Sequence, residues 1–316
     1  MPLAASLPLP PSPLLRIEDS TMDSPSDDKS TGARLPLELE RIVFEVAARS
    51  CFQDIPILML TAWRVKHWVE RFLYRVVLCS EREHETSSYV PFHILLQRIK
   101  SKSSDTIGSF VRCMSIESGI QDVDDLVITL VTCPYLVDLY VFGFSGVANS
   151  GLLPGLVALQ NLQRLTIDLE DVFVNQSIDF GSHFFRHLTH LELLGCGSDE
   201  YPDVLAGLDA APNLTHIAFN LVQEPAIAHD IIRGYTRLRC IIFMDIGQSN
   251  IRPHSADDRF VALRQTRFVE DWLRGATTGE DYWSLAERFI AAKRAGKVAG
   301  SHYSIIDTGD EFWWQS

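Results

Sequence analysis

"LTHLEL" occupies residues 188–193 and "LTHIAF" residues 214–219. Both read apolar-x-x-apolar-x-apolar. The frame recurs in "VRCMSI" from Val111, "LVDLYV" from Leu136, "LQRLTI" from Leu162 and "LRCIIF" from Leu238. Successive starts lie 25, 26, 26, 26 and 24 residues apart. A near-constant period of this length is the signature of stacked supersecondary units. Side chains alternate across a strand, so Leu139 and Val141 share one face. Leu136 has the other parity and is expected at the corner entering the strand, also turned inward.

Between the frames lie helical candidates: "QDVDDLVITLVTC", "SGLLPGLVALQ", "SHFFRHL", "YPDVLAGLDAA" and "EPAIAHDIIRGY". Pro134 and Pro212 fall two residues before their frames, where a helix must stop. Three buried aliphatics cannot offset the ordering of about two dozen residues, so one unit cannot stand alone and its neighbours must share a continuous core. The expected class is α/β: a curved solenoid with a parallel sheet inside and helices outside.

Working outward, residues 1–33 are rich in Pro, Ser and Asp and are expected to be a disordered leader rather than a signal peptide, since no basic segment opens them. Residues 34–80 read as helices leading into a first strand. "LPLELERIVFEVAARS" carries apolar residues at Leu39, Ile42, Val43, Val46 and Ala47, and Pro36 suits a helix start. Leu58, Ala62, Val65 and Val69 continue at helical spacing, and Val76 and Leu78 share a strand face. Residues 81–250 hold the periodic units. Residues 251–316 read as a helical cap over the open end, with Trp283, Ala286, Phe289 and Ile290 on one apolar face and Gly296 as a C-cap.

Two resemblances rest on these stretches. The units resemble degenerate leucine-rich repeats, and "LTHLELLGC" extends to the longer LxxLxLxxC form at Cys196. "LPLELERIVFEV" and "LMLTAWRVKHWVERFLYRVV" resemble an F-box, with Leu35, Pro36, Leu39 and Ile42 in the matching places and Trp63 near the usual aromatic position. The usual Cys-Arg-Arg-Trp run is replaced by "TAWRVKHW". The whole order is similar to a set of fungal F-box-like proteins. The resemblance implies a non-enzymatic substrate receptor of a cullin–RING ubiquitin ligase. Leu35, Pro36, Leu39, Ile42 and Trp63 would dock a Skp-type adaptor, and the repeats would hold an unknown protein target. The alternative is a repeat scaffold for protein–protein interaction with no ligase role.

The chain of 316 residues is 46% apolar, with a formal net charge of -13. That balance disfavours nucleic acid and anionic membrane surfaces. No run of 18 apolar residues is present to span a bilayer. Six scattered cysteines without a CxxC pair point to a reducing compartment, cytoplasmic or nuclear, in which the sequons at Asn175 and Asn213 are chance matches.

The frame also predicts two ladders facing away from the core. One runs Cys113, Asp138, Arg164, His190, His216, Cys240; the other Ser115, Tyr140, Thr166, Glu192, Ala218, Ile242. Asp138, Tyr140, Arg164, Thr166, His190, Glu192 and His216 are the expected partner-binding concave face. His190, Glu192 and His216 form a conceivable two-His, one-carboxylate set, but no second shell is visible, and no metal or cofactor is expected. His183 and His187 lack the HExxH glutamate. "GFSGV" at 143–147 is not GxSxG, "LGCGSDE" has no base for its thiol, and no phosphate-binding glycine loop is present, so no catalytic residues are expected.

Overall fold

The computed structural model describes residues 35–79, 92–101, 107–116, 123–142, 151–173, 178–194, 201–220, 225–244, 252–264 and 267–306. The leader, "GFSGV", Asn175, Cys196 and the rest of "LGCGSDE" beyond Leu194 lie outside them.

All six frames form strands. β2 (Cys113–Ile116), β3 (Asp138–Val141), β4 (Arg164–Ile167), β5 (His190–Leu193), β6 (His216–Phe219) and β7 (Cys240–Met244) lie side by side in chain order. β1 (Val76–Cys79) precedes them; β8 (Phe260–Arg264) and β9 (Ser304–Ile306) follow. Every neighbouring pair is parallel. The fold is therefore α/β around a nine-stranded, all-parallel sheet.

The register follows the period. Met114, Leu139, Leu165, Leu191, Ile217 and Ile241 form one continuous column of Cα partners. These side chains join one core with α4 (Phe92–Lys100), α5 (Val123–Thr132), α6 (Leu153–Val157), α7 (Leu169–Val172), α8 (Tyr201–Gly207) and α9 (Pro225–Ile232). Val111, Leu136, Leu162, Leu188, Leu214 and Leu238 are all buried in the same core, so the corner position does turn inward.

At three places a polar side chain ties the segment leading into a strand to the segment before it. Asn161 donates from Nδ2 to the carbonyl of Pro134 at 2.8 Å, and Asn213 does the same to Arg186 at 2.6 Å. The sequon asparagine at 213 thus has a structural use. Arg237 donates to the carbonyl of Asp209 at the equivalent place. Replacing Asn213 by alanine is expected to cost about 1 kcal/mol, the net worth of one such bond, read as a shift in urea midpoint.

Residues 251–316 differ from the expectation of helices alone. β8 and β9 extend the sheet, and the two expected helices, α10 (Phe268–Thr278) and α11 (Tyr282–Arg294), do not cap its end. They lie on the face opposite α4–α9. α11 packs Trp283, Ala286, Phe289 and Ile290 with Ala218, Cys240, Ile242, Val261 and Leu263, and α10 packs Trp272, Leu273 and Ala276 with Val76, Leu78, Cys113 and Tyr140. The helix ends are built as the sequence implies. Asp281 forms a capping box with Ser284, and Gly296 takes the left-handed conformation (φ 75°) after α11.

The first helices are α1 (Leu37–Ser50), α2 (Ile55–Met59) and α3 (Trp63–Leu73). They share a small core of Ala48, Ile55, Val65 and Val69, with Phe44, Trp68 and Phe72 around it. Salt bridges from Arg71 to Glu45 (2.8 Å) and Arg64 to Glu40 (2.7 Å) fasten α3 to α1. Burial opposes ionisation of Glu45, but Arg41, Arg71 and Arg49 outweigh it and hold its carboxyl below the usual range.

Candidate functional site

Two surfaces carry the expected site residues. On the first, α1–α3, the apolar stripe turns away from the protein. Leu35, Leu37, Leu39, Ile42, Val43 and Val46 are each about half exposed. Ile57, Leu60 and Trp63, in or next to α2 and α3, are exposed as well, Leu60 to 86% and Trp63 to 81%. Pro36 is exposed too. The small core of the hairpin is served by the other side of α1, through Phe44 and Ala48. Monomeric proteins rarely leave a large contiguous apolar patch in water, and such patches mark interaction sites. All five residues read from the sequence are on this surface. Val43, Val46, Ile57 and Leu60 belong with them; an exposed apolar residue has no sequence signature distinguishing it from a core residue at the same helical spacing.

The second surface is the sheet face with the two ladders. The ladders form as expected. Asp138 pairs in register with Arg164, Arg164 with His190, and His190 with His216. The face is not open, however, which corrects the expectation of a concave surface free for a partner. Tyr140, Thr166, Glu192 and His216 are buried beneath α10 and α11, and Asp138, Arg164 and His190 are partly covered. The helices bring groups complementary to each rung. Trp272 donates its indole N–H to Asp138 Oδ1 at 3.0 Å and stacks at a tilt on Tyr140. Arg164 meets the helix-capping Asp281 at 2.6 Å. Thr166 and Tyr282 both donate their hydroxyls to Glu192 Oε2 at 2.9 Å. The His190 and His216 rings stack with centroids 4.1 Å apart, and Trp283 meets both edge-on. His216 Nε2 reaches Glu287 Oε1 at 2.9 Å.

No family model matches the chain, and no curated protein matches it.

Electrostatics on the covered face follow from burial. Desolvation, together with the neighbouring His216 ring and Arg164, lowers His190 to about 2. Desolvation also lowers His216, against the pull of Glu287. Both imidazoles are therefore neutral at pH 7. Burial pushes the Glu192 carboxyl up to about 7 and Asp138 up to about 6, each beyond what its hydrogen bonds recover. Burial likewise raises the Cys113 thiol to about 12, the opposite of an activated nucleophile. His190, Glu192 and His216 do not converge on an ion: the two rings lie face to face, and Glu192 is engaged with Thr166 and Tyr282. Among the described residues no group of three His, Cys, Asp or Glu side chains could hold a metal ion. Nor is any described helix long and apolar enough to cross a membrane.

The sequence held only a partial signal for this closure. "FVEDWLRG" and "GEDYWSLAERF" mix Trp and Tyr with buried acids, which suits a sheet face that is itself part polar. His183 and His187, considered as a pair, sit at a short 3₁₀ turn over 183–185 with rings 6.4 Å apart and edge-on.

Proposed function

We propose that this chain is a non-enzymatic protein-binding subunit, a substrate receptor of a cullin–RING ubiquitin ligase, whose α1–α3 segment docks a Skp-type adaptor. The observation that carries the reading is the apolar surface that α1–α3 leaves exposed among the described residues. An amphipathic helix that turns its apolar stripe outward, while a separate core holds the hairpin together, is arranged to fill a groove on another protein. The consecutive parallel strands, six of them (β2–β7) entered through a buried corner leucine or valine, support the finer description of the body as a degenerate leucine-rich-repeat solenoid. Because α10 and α11 fill the ladder face, the receptor holds its target with other surfaces of that body. The compartment that goes with this role is cytoplasmic or nuclear.

Purified Skp-type adaptor is expected to bind the full chain at micromolar concentration or tighter. Leu39→Asp combined with Ile42→Asp is expected to weaken that binding by at least about 30-fold, the loss of even one interface anchor worth roughly 2 kcal/mol. Both side chains are exposed, so the circular dichroism spectrum and melting temperature should stay put. Failure of the unsubstituted chain to bind at micromolar concentration would leave the repeat scaffold without a ligase as the better reading.

A further inference from the structure

The four residues that precede each of the strands β1–β7 form the corners of the stacked units. They are 72–75, 109–112, 134–137, 160–163, 186–189, 212–215 and 236–239. These corners hold five arginines, Arg75, Arg112, Arg186, Arg237 and Arg239, and no Asp or Glu, in a chain with 41 acidic residues against 28 basic ones. The last corner residues stand in one row along the edge of the sheet, from Arg75 and Arg112 through Val137, Gln163, Thr189 and Thr215 to Arg239. Each after the first donates its backbone N–H to the carbonyl of the one before it, at 2.7–3.0 Å.

The middle of this rim differs from its ends. Beside β4–β6 a groove of about 430 Å³ is lined by Asn161, Gln163, His187, Thr189, Asn213 and Thr215, polar side chains without an acid or an arginine. Asn161 and Asn213 give their Nδ2 groups to backbone carbonyls, which leaves their amide oxygens to accept from a ligand. The ends are basic. Arg112 lies over the Tyr135 ring at 5.1 Å and is held by the carbonyls of Ser109 and Val111. Arg237, at the other end, is paired with Asp209 at 3.0 Å. Arg75, Arg186 and Arg239 are exposed, and none has a side-chain hydrogen bond or ion pair among the described residues.

We propose that this rim is the docking surface for an acidic peptide segment, bound extended across the corners with acids at its two ends and a neutral polar stretch between them. The surface supplies a target site for the protein-binding reading above and does not depend on the adaptor. Neighbouring strands lie about 4.8 Å apart, so the five steps from Arg112 to Arg239 span roughly 24 Å, about seven residues of extended chain. Carboxylates at one end of the peptide meet Arg75 and Arg112, and those at the other end meet Arg239. The backbone amides between them meet the side-chain amides of Asn161, Gln163 and Asn213. Charge complementarity selects the ligand: the formal net charge of the chain is -13, so the rim is where an anionic segment is attracted. A short peptide stays on the rim, whereas a nucleic-acid strand would run on into the repelling remainder of the surface.

Fluorescence anisotropy of a labelled Glu-Glu-Ser-Gly-Ser-Glu-Glu peptide, titrated with the full chain at low salt, is the test. Saturable binding that weakens as salt is added is expected. Arg75→Glu and Arg239→Glu should each weaken it about fivefold, and together about 25-fold, because they act at opposite ends. Arg264→Glu is the control: Arg264 is exposed at the far end of β8, and its replacement should leave binding unchanged. Glu-Glu-Glu-Glu-Ser-Gly-Ser has the same composition but reaches one basic end only, and should bind about fivefold more weakly than the first peptide. Absence of saturable binding, equal affinity for the two peptides, or a loss in Arg264→Glu as large as in Arg239→Glu would each overturn the proposal. So would tighter binding of a labelled oligothymidylate through the same arginines, which would make the rim a nucleic-acid surface. The substituted arginines are exposed, so melting temperatures should hold; if Arg75→Glu does not fold, Arg239→Glu alone decides. The assay contains no adaptor, so a failure here and a failure of adaptor docking are told apart.

Discussion

Phe289→Ala is expected to lower the stability of the whole chain by about 3–5 kcal/mol, the range for truncating a buried phenylalanine. The ring is fully buried and belongs to the cluster that joins α11 to β6, β7 and β8 through Ala218, Cys240, Ile242, Val261 and Leu263. The strands behind it are held in register on both sides, so their backbone is not free to close the void. Chemical denaturation monitored by circular dichroism should show a lower midpoint with an unchanged slope and a single transition. Val131→Ala on α5 is the matched control: Val131 is exposed, and the change is expected to stay within about 0.5 kcal/mol. A loss below about 1 kcal/mol for Phe289→Ala would mean that α11 is an appended cap that detaches without disturbing the sheet. The structure instead makes it the second wall of the core.

That contrast marks where sequence reading stopped. The ladders were legible because two local facts fix them: a period of about 26 residues sets the register, and strand parity sets the face. Arg164 beside His190, and His190 beside His216, follow without further information. What covers the ladders was not legible. Trp272 meets Asp138 across 134 residues of sequence, Arg164 meets Asp281 across 117, and Tyr282 meets Glu192 across 90. No periodicity connects such pairs; only the complementarity of the two finished surfaces does. β8 and β9 escaped for a different reason. "FVALR" has strand composition without the repeated frame, and "SII" is three residues long. The α1 stripe shows a third kind of limit. Its helical spacing was readable at Leu39, Ile42, Val43 and Val46, but spacing alone does not say whether a stripe faces its own core or a partner.

Gly108→Ala is expected to destabilise the chain by about 3 kcal/mol, the upper end for overpacking a tight site. Gly108 is buried at the start of a short 3₁₀ turn over 108–110 that leads into β2. A Cβ there would stand 2.0 Å from the carbonyl oxygen of Thr132, the last residue of α5, and 2.8 Å from its carbonyl carbon. The obstacle is backbone, so no rotamer change relieves it. Either the turn or the end of α5 must move, and α5 is fixed by the fully buried Leu126 and Leu130. Gly234 supplies the contrast. An added Cβ there meets nothing within 4 Å, and Gly234 is not among the glycines with positive φ. Gly234→Ala should therefore be neutral or stabilise by up to about 1 kcal/mol, by restricting the unfolded chain. In the sequence both glycines look alike, each a small residue in a turn after a helix. What separates them is the close approach of one backbone to another, which only the stacked units create. Urea titration of the two variants side by side measures it: a cost for Gly108→Ala no larger than for Gly234→Ala would mean that α5 does not press on the entry to β2 as the structure places it.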